Sequence, residues 1–262
     1  MAVELIIHVR PYETRVALVE GGAVTELYTE RNSGQQLLRN IYRGRVVKVL
    51  PGMQAAFVDI GLERTAFLYV SDVNPNHRPC RPGEFDGERE TPLESPCRGG
   101  PASRTITCRI EEILHEGQDI MVQVSREPLG KKGARITSNM SLPGRHLVLL
   151  PTVDHIGVSR RIESTGEKER LKALVGEIRD SRMGFIIRTV SEGTSREKLK
   201  AEADFLEKLW FNILRKMEGL TRPGLLHEDL NISLRAVRDL FTREVDRLII
   251  DSPEQYDRIM DF

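Results

Sequence analysis

Ala55-Ala56-Phe57-Val58-Asp59-Ile60, followed after Gly61 by Thr65-Ala66-Phe67-Leu68-Tyr69-Val70, is the stretch that decides how this chain folds. Successive side chains of a strand point to opposite faces. A period of two therefore puts Ala56, Val58 and Ile60 on one face and Phe57 with Asp59 on the other. The second run repeats the pattern: Ala66, Leu68 and Val70 face inward, while Phe67 and Tyr69 point outward beside Thr65. Working outward, the sequence predicts strands over Ile41–Leu50, Met53–Ile60 and Thr65–Val70, with breaks at Pro51-Gly52 and Gly61. Two more are expected at Asp119–Val124 and near Ala134–Thr137. Five short strands around one long polar segment predict a small barrel. That segment, 74–104, is rich in Pro, Gly, Arg and Glu and poor in large apolar residues. It buries too little surface to offset its ordering entropy, so a flexible insertion is expected there.

The flanks read differently. Val3–Val9, Thr14–Val19 and Ala23–Thr29 are short β-rich runs, and Gly21-Gly22 between the last two favours a tight hairpin. A three-stranded meander is the simple reading. Downstream, Glu167–Ile178 reads as a helix and Phe185–Val190 as an apolar strand. Ser195 is placed to cap a helix in which Leu206, Leu209, Trp210, Ile213 and Met217 recur at helical spacing. That stripe is read as core, so Trp210 receives no functional role. A last block holds a helix over Ser233–Asp246, a strand Leu248–Ile250 and a helix starting at Ser252-Pro253. The chain stops at Phe262 inside that helix, which leads to the expectation that the sequence is the front part of a longer one.

Composition narrows the function. The 262 residues carry 39 Lys+Arg and 39 Asp+Glu, a net charge of zero. A nucleic-acid partner would then have to meet local basic patches rather than a uniformly basic surface. Hydrophobic residues make up 39% and charged residues 30%, as in soluble globular proteins. No run reaches the ~18 apolar residues of a membrane span, and Met1–Val9 has no basic stretch ahead of its apolar residues, so no secretory signal is expected. Cys80, Cys97 and Cys108 form no C-x-x-C pair. No zinc site is expected within the chain, and the odd count suits a reducing, cytoplasmic setting.

The outward rings supply the first functional argument. Arg43, Arg45, Lys48 and Arg64 lie near them in sequence. Rings on a barrel face with basic neighbours form a stacking platform for single-stranded nucleic acid, worth roughly 1–3 kcal/mol per base. The competing reading is that another part of the chain covers the rings. Here a resemblance becomes specific. Gly44-Arg45-Val46, Ala56-Phe57-Val58-Asp59-Ile60-Gly61 and Ala66-Phe67-Leu68 resemble the S-one type of OB-fold RNA-binding domain. Asn40-Ile41-Tyr42-Arg43-Gly44 with Ala55-Ala56-Phe57-Val58-Asp59 resembles, more narrowly, the RNase E/RNase G family of endoribonucleases. That resemblance implies that Phe57, Phe67 and Lys132, the last within Lys132-Gly133-Ala134, hold RNA.

A second site is expected at the end of the Phe185–Val190 strand. Arg188-Thr189 offers a guanidinium fork and a hydroxyl, a pair suited to phosphate. Ser159-Arg160-Arg161 is a second basic cluster, although either cluster alone also fits a solvated surface. Gly184-Phe185-Ile186-Ile187-Arg188-Thr189 and Gly157-Val158-Ser159-Arg160-Arg161-Ile162 resemble the family's sensor of a 5′-monophosphate. By resemblance Arg188 and Thr189 grip the phosphate, Arg160 supports it, and the backbone at Gly144 and Val148 lines the pocket. Pro143, next to that glycine, restricts the local backbone, a feature that bears on the Gly144 contact before any other.

A hydrolytic centre is not evident. Asp229, Asp239, Asp246 and Asp251 show no convergence, and Glu254, Asp257 and Asp261 fit a solvated acidic helix face. The resemblance therefore implies an α+β, multidomain chain. A five-stranded OB-fold barrel (39–138, with the insertion 74–104) and a 5′-sensor α/β subdomain (139–231) are set into a partial RNase H-like subdomain (1–38 and 232–262). It implies a single-strand-specific endoribonuclease of RNA processing and decay whose nuclease subdomain, with its Mg²⁺ and, in some members, an intersubunit Zn²⁺, lies outside these residues. No cofactor and no catalytic residue are expected here, the chain alone is expected to be inactive, and homo-oligomers belong to the full-length family. Its partner would be single-stranded RNA with a 5′-monophosphate. The alternative is a free-standing S-one type RNA-binding or ribosome-associated protein, in which Arg188-Thr189 would have no sensor role.

Overall fold

The structure is a computed structural model that describes residues 2–31, 36–74, 109–130, 132–179 and 182–262. Apart from Asn74, the segment expected to be a flexible insertion lies outside the described residues, as do the three cysteines. In chain order, the strands β1 (Val3–Val9), β2 (Glu13–Glu20) and β3 (Ala23–Arg31) lead to β4 (Ile41–Leu50), β5 (Ala55–Asp59) and β6 (Ala66–Tyr69). The short helix α1 (Ile110–Ile113) precedes β7 (Asp119–Arg126) and β8 (Arg135–Thr137). Then follow β9 (Leu142–Pro143), β10 (Leu147–Leu150), β11 (Ile156–Val158), α2 (Thr165–Ile178), β12 (Gly184–Ile187) and α3 (Arg196–Gly219). The chain continues through β13 (Gly224–His227), α4 (Ile232–Leu240), β14 (Arg247–Ile250) and α5 (Pro253–Asp261). None of the described helices is long and apolar enough to cross a membrane.

The chain divides into two units, Met1–Leu37 with Asp229–Phe262, and Leu38–Glu228. In the first, β1, β2 and β3 form the expected meander, and β14 adds to β1 in parallel. Gly21 and Gly22 both hold positive φ, 57° and 85°, as the two-residue hairpin between Glu20 and Ala23 demands. Leu5, Ile7 and Val16 from the sheet meet Ala236 of α4 and Ile259 of α5 in a small core. Helix α4 starts earlier and ends earlier than its expected span of Ser233–Asp246. Asn231 caps it by accepting from Leu234 N (2.9 Å). After Phe241, the Thr242 hydroxyl accepts from Glu244 N (3.2 Å) and turns the chain out of the helix.

The second unit contains the barrel. Its circuit runs β4–β5–β6–β8–β7 and closes through β4–β7. All contacts are antiparallel except β6–β8, so it is a closed five-stranded mixed barrel consistent with an OB-fold. Its interior is Val46, Ala56, Val58, Ile60, Ala66, Leu68, Ile120, Val122, Val124 and Ile136, all buried. Val70 is a correction: it is half-buried in a one-turn 3-10 helix, Val70–Asp72, that ends the third strand. Strand β13 arrives from beyond α3 and pairs with β4 as a sixth strand.

The remaining part of this unit is a sheet in the order β11-β12-β10-β9, packed by α2 and α3. Phe185, Leu147, Leu149 and Ile187 from the sheet meet Leu171 and Val175 from α2 and Leu206, Trp210 and Ile213 from α3. The helical stripe of the sequence is thus core, Trp210 included. Strand β12 is shorter than the expected Phe185–Val190. After Ile187 a 3-10 turn, Thr189–Ser191, takes over, closed by Ser191 N to Arg188 O (3.1 Å) and by Ser191 Oγ to His146 O (2.7 Å).

Candidate nucleic-acid interface

The outer aromatic face is a cluster of three rings. Phe57 and Phe67 are register partners on β5 and β6, their centroids 5.5 Å apart in an edge contact. Tyr69, two residues along β6, lies 4.5 Å from Phe67 in a second edge contact. Both phenylalanines are half-buried, and Tyr69 is exposed. The Arg135 guanidinium sits 4.9 Å from the Tyr69 ring centroid, held there by Asp72 (2.7 and 2.8 Å). Such a row has cationic and aromatic surface of the kind that accepts stacked bases.

The basic neighbours sort into two classes. Lys48 is exposed and pairs in register with Phe57 across a bulge. Arg64 is exposed, with Nη1 donating to Gly130 O (2.6 Å). Arg43 and Arg45, grouped with them from the sequence, are committed elsewhere. Arg43 donates to Met217 O (2.8 Å) and Leu220 O at the end of α3, and to Asp119 (2.7 Å). Arg45 pairs with the same carboxylate (2.9 Å). The hydrogen bond from Arg45 foremost, opposed by desolvation and aided by Arg43, holds the Asp119 carboxyl below its ordinary range. These arginines fasten β4 to β7 and to α3, a role that sequence proximity could not reveal.

Lys132 is exposed on the turn before β8. Its position follows from Gly133, where a Cβ would lie 1.9 Å from Thr65 O. Only glycine lets the turn press against the start of β6, where Phe67 N donates to Ala134 O (2.8 Å).

The second candidate site lies where β11 and β12 end. The two strands are parallel, with Val158 opposite Ile187, so Ser159-Arg160 and Arg188-Thr189 leave the sheet side by side. Carboxyl ends of adjacent parallel strands are favoured ligand positions. Ser159 N donates to Ile187 O (2.8 Å), and the Ser159 and Thr189 hydroxyls are 3.0 Å apart. On the other flank β10 runs antiparallel to β12 and places Gly144 to His146 beside the same end. Arg188 Nη1 donates to Gly144 O (2.6 Å) and Arg188 N to His146 O (2.8 Å). Arg188, Thr189 and Gly144 are therefore brought together, with exposed Arg160 next to Ser159. Val148 is half-buried within β10, opposite Ile186 of β12 on one side and Pro143 of β9 on the other. Burial pushes the His146 imidazole below the usual histidine range, against the pull of Glu202. Ser159, His146 and Glu202 were not singled out from the sequence. Ser159 lies within the Ser159-Arg160-Arg161 cluster, whereas Glu202 carries no local signal within a charged helix.

Among the described residues no three His, Cys, Asp or Glu side chains gather as a metal site. The acidic residues near the end of the chain have local partners: Asp246 accepts from Val3 N (2.9 Å), Asp251 from Val9 N (2.8 Å), and Asp239 pairs with Arg238 (2.9 Å).

Residues 141–262 match the Ribonuclease E/G family. The chain carries a ribonuclease E/G family domain. Ribonuclease G of Escherichia coli (strain K12) is 41% identical over 263 residues, which covers 100% of this chain and 50% of that protein. Ribonuclease G of Haemophilus influenzae is 42% identical over 261 residues, again 100% of this chain and 50% of that protein. Ribonuclease E of Escherichia coli (strain K12) is 34% identical over 243 residues, 92% of this chain and 21% of that protein. The chain thus spans about half the length of the ribonuclease G relatives it matches. The similarity to the ribonuclease G relatives spans both the barrel face and the end of β12, while the family match, 141–262, spans only the latter.

Proposed function

We propose that these residues form the RNA-recognition and 5′-end-sensing part of an endoribonuclease that acts in RNA processing and decay in the cytoplasm. Single-stranded RNA lies across Phe57 and Phe67, with Lys132 on its backbone. Its 5′-monophosphate is gripped by Arg188 and Thr189, supported by Arg160 and by the backbone at Gly144 and Val148. The observation that carries this reading is the convergence at the end of β12, where Arg188, Thr189 and the Ser159 hydroxyl meet. A monophosphate carries nearly two negative charges, with a second pKa near ~6. An arginine, whose planar fork matches phosphate oxygens, and two hydroxyls at one strand end suit it better than they suit a 5′-hydroxyl. Hydrolysis is assigned to groups outside these residues, in keeping with the local commitments of Asp239, Asp246 and Asp251.

The test is fluorescence anisotropy at fixed salt with matched short RNAs bearing a 5′-monophosphate or a 5′-hydroxyl. The monophosphate is expected to bind more tightly, by about tenfold or more, because one charge-assisted hydrogen bond contributes roughly 1.5–3 kcal/mol. Arg188→Ala should remove most of that preference, Arg188→Lys should restore part of it, and Arg161→Ala should matter less. Equal affinity of the unaltered chain for the two ends would overturn the sensor assignment. Incubated with Mg²⁺, the same RNA should stay intact; cleavage abolished by EDTA would overturn the assignment of hydrolysis elsewhere.

A further inference from the structure

We infer that Glu202 of α3 is a positioning residue for the 5′-end pocket, acting through the segment Gly144–Leu147 that holds Arg188; the inference rests on the sensor reading above. The Glu202 carboxylate accepts from two successive backbone N–H groups. Oε1 takes His146 N (2.8 Å) and Leu147 N (3.2 Å), and Oε2 takes His146 N (3.1 Å). Successive N–H groups turned to one side make an anion-binding concavity, and here the protein's own carboxylate fills it. The segment closes so tightly on that carboxylate that a Cβ on Gly144 would lie 2.1 Å from Oε1.

The carbonyls of the same segment face the other way. Gly144 O receives Arg188 Nη1 (2.6 Å), and His146 O receives Arg188 N (2.8 Å) and Ser191 Oγ (2.7 Å). His146 and Leu147 therefore give their N–H groups to α3, while Gly144 and His146 give their carbonyls to the phosphate-gripping turn. A carboxylate on the donor side orients these peptides and fixes where the guanidinium is anchored. Glu202 is half-buried, and its removal takes a charged acceptor from two backbone N–H groups at once.

Coulomb's law alone predicts the opposite sign. Deleting a negative charge near a phosphate pocket should tighten phosphate binding, whereas loss of positioning should weaken it. The experiment compares Glu202→Ala, Glu202→Gln and the unaltered chain for the ratio of 5′-hydroxyl to 5′-monophosphate dissociation constants, with a thermal melt of each. Glu202→Ala is expected to lower the ratio by about tenfold, the worth of one charge-assisted hydrogen bond, with affinity for the 5′-hydroxyl RNA unchanged. Glu202→Gln keeps an oxygen where Oε1 accepts both N–H groups and should stay near the unaltered ratio. Should Glu202→Ala melt below the assay temperature, Glu202→Asp, whose shorter arm withdraws the carboxylate, carries the same expectation of a lowered ratio. A ratio kept or raised in Glu202→Ala overturns the inference, as does an equal weakening of both RNAs, which marks a merely structural residue. A ratio of one in the unaltered chain sinks the sensor reading itself, and this inference with it.

Discussion

Phe67 is the middle ring of the outer cluster, and that placement makes its replacement more damaging than that of Phe57. Phe57→Ala removes one stacking surface, worth roughly 1–3 kcal/mol per base, or about 5- to 150-fold in the dissociation constant. Phe67→Ala removes a stacking surface too. It also takes away the edge contact that steadies Phe57 at 5.5 Å and the one that steadies Tyr69 at 4.5 Å. Two rings must then be ordered on binding, at about 0.5–1.5 kcal/mol for each immobilised side chain. The total loss is about 2–6 kcal/mol, against about 1–3 kcal/mol for Phe57→Ala. Neither change reaches the barrel interior, because the inward neighbours Ala66 and Leu68 are fully buried and untouched. In urea, Phe67→Ala should cost about 1–3 kcal/mol, from two ring contacts of about 0.5–1.5 kcal/mol each. The assay is anisotropy with a single-stranded RNA at constant ionic strength, alongside urea unfolding of the same preparations. Unchanged affinity in both variants would refute the platform. Equal losses in both would refute the coupling of the three rings while leaving a simple stacking site.

Gly133→Ala should destabilise the chain and weaken RNA binding together. Its new Cβ meets a backbone oxygen at 1.9 Å, so the turn carrying Lys132 must withdraw from β6; urea unfolding and anisotropy check both effects, and an unchanged midpoint would contradict the close packing. Glu167 sets a pH dependence. Arg170 first, and then the Gly193 N–H, lower its pKa from 4.5 to about 2, through contacts of 2.7 and 2.9 Å. A depressed folded-state pKa stabilises above the unfolded value, and that contribution is lost as pH falls from about 4.5 through about 2. Glu167→Gln should therefore be less stable than the unaltered chain at neutral pH, with the gap closing as pH falls through that window. A carboxyl carbon titration centred near 4.5 for Glu167 would contradict it.

Much of the fold was legible because strand alternation is a local property. Ala56, Val58, Ala66 and Leu68 had to face one way, so Phe57, Phe67 and Tyr69 had to face the other, whatever lay around them. Gly21-Gly22 foretold its hairpin by the same local logic, since positive φ at two successive positions is a property of residue type. The sequence by itself thus determined the barrel, its aromatic face and the family resemblance carried by short runs such as Gly184 to Thr189. In three places where expectation and structure parted, a partner distant in sequence intervened. Arg43 reads as a basic neighbour of the rings until α3 brings Met217 O and Leu220 O to its guanidinium, 174 and 177 residues away. Strand β12 ends at Ile187 rather than Val190 because His146 O takes the Arg188 N–H and the Ser191 hydroxyl. Glu202, 56 residues from His146, looks like one more charge on a solvated helix until the fold turns two backbone N–H groups toward it. Side-chain direction along a strand follows from covalent geometry, but the identity of a hydrogen-bond partner depends on which segments packing brings within about 3 Å, and only the tertiary structure decides that.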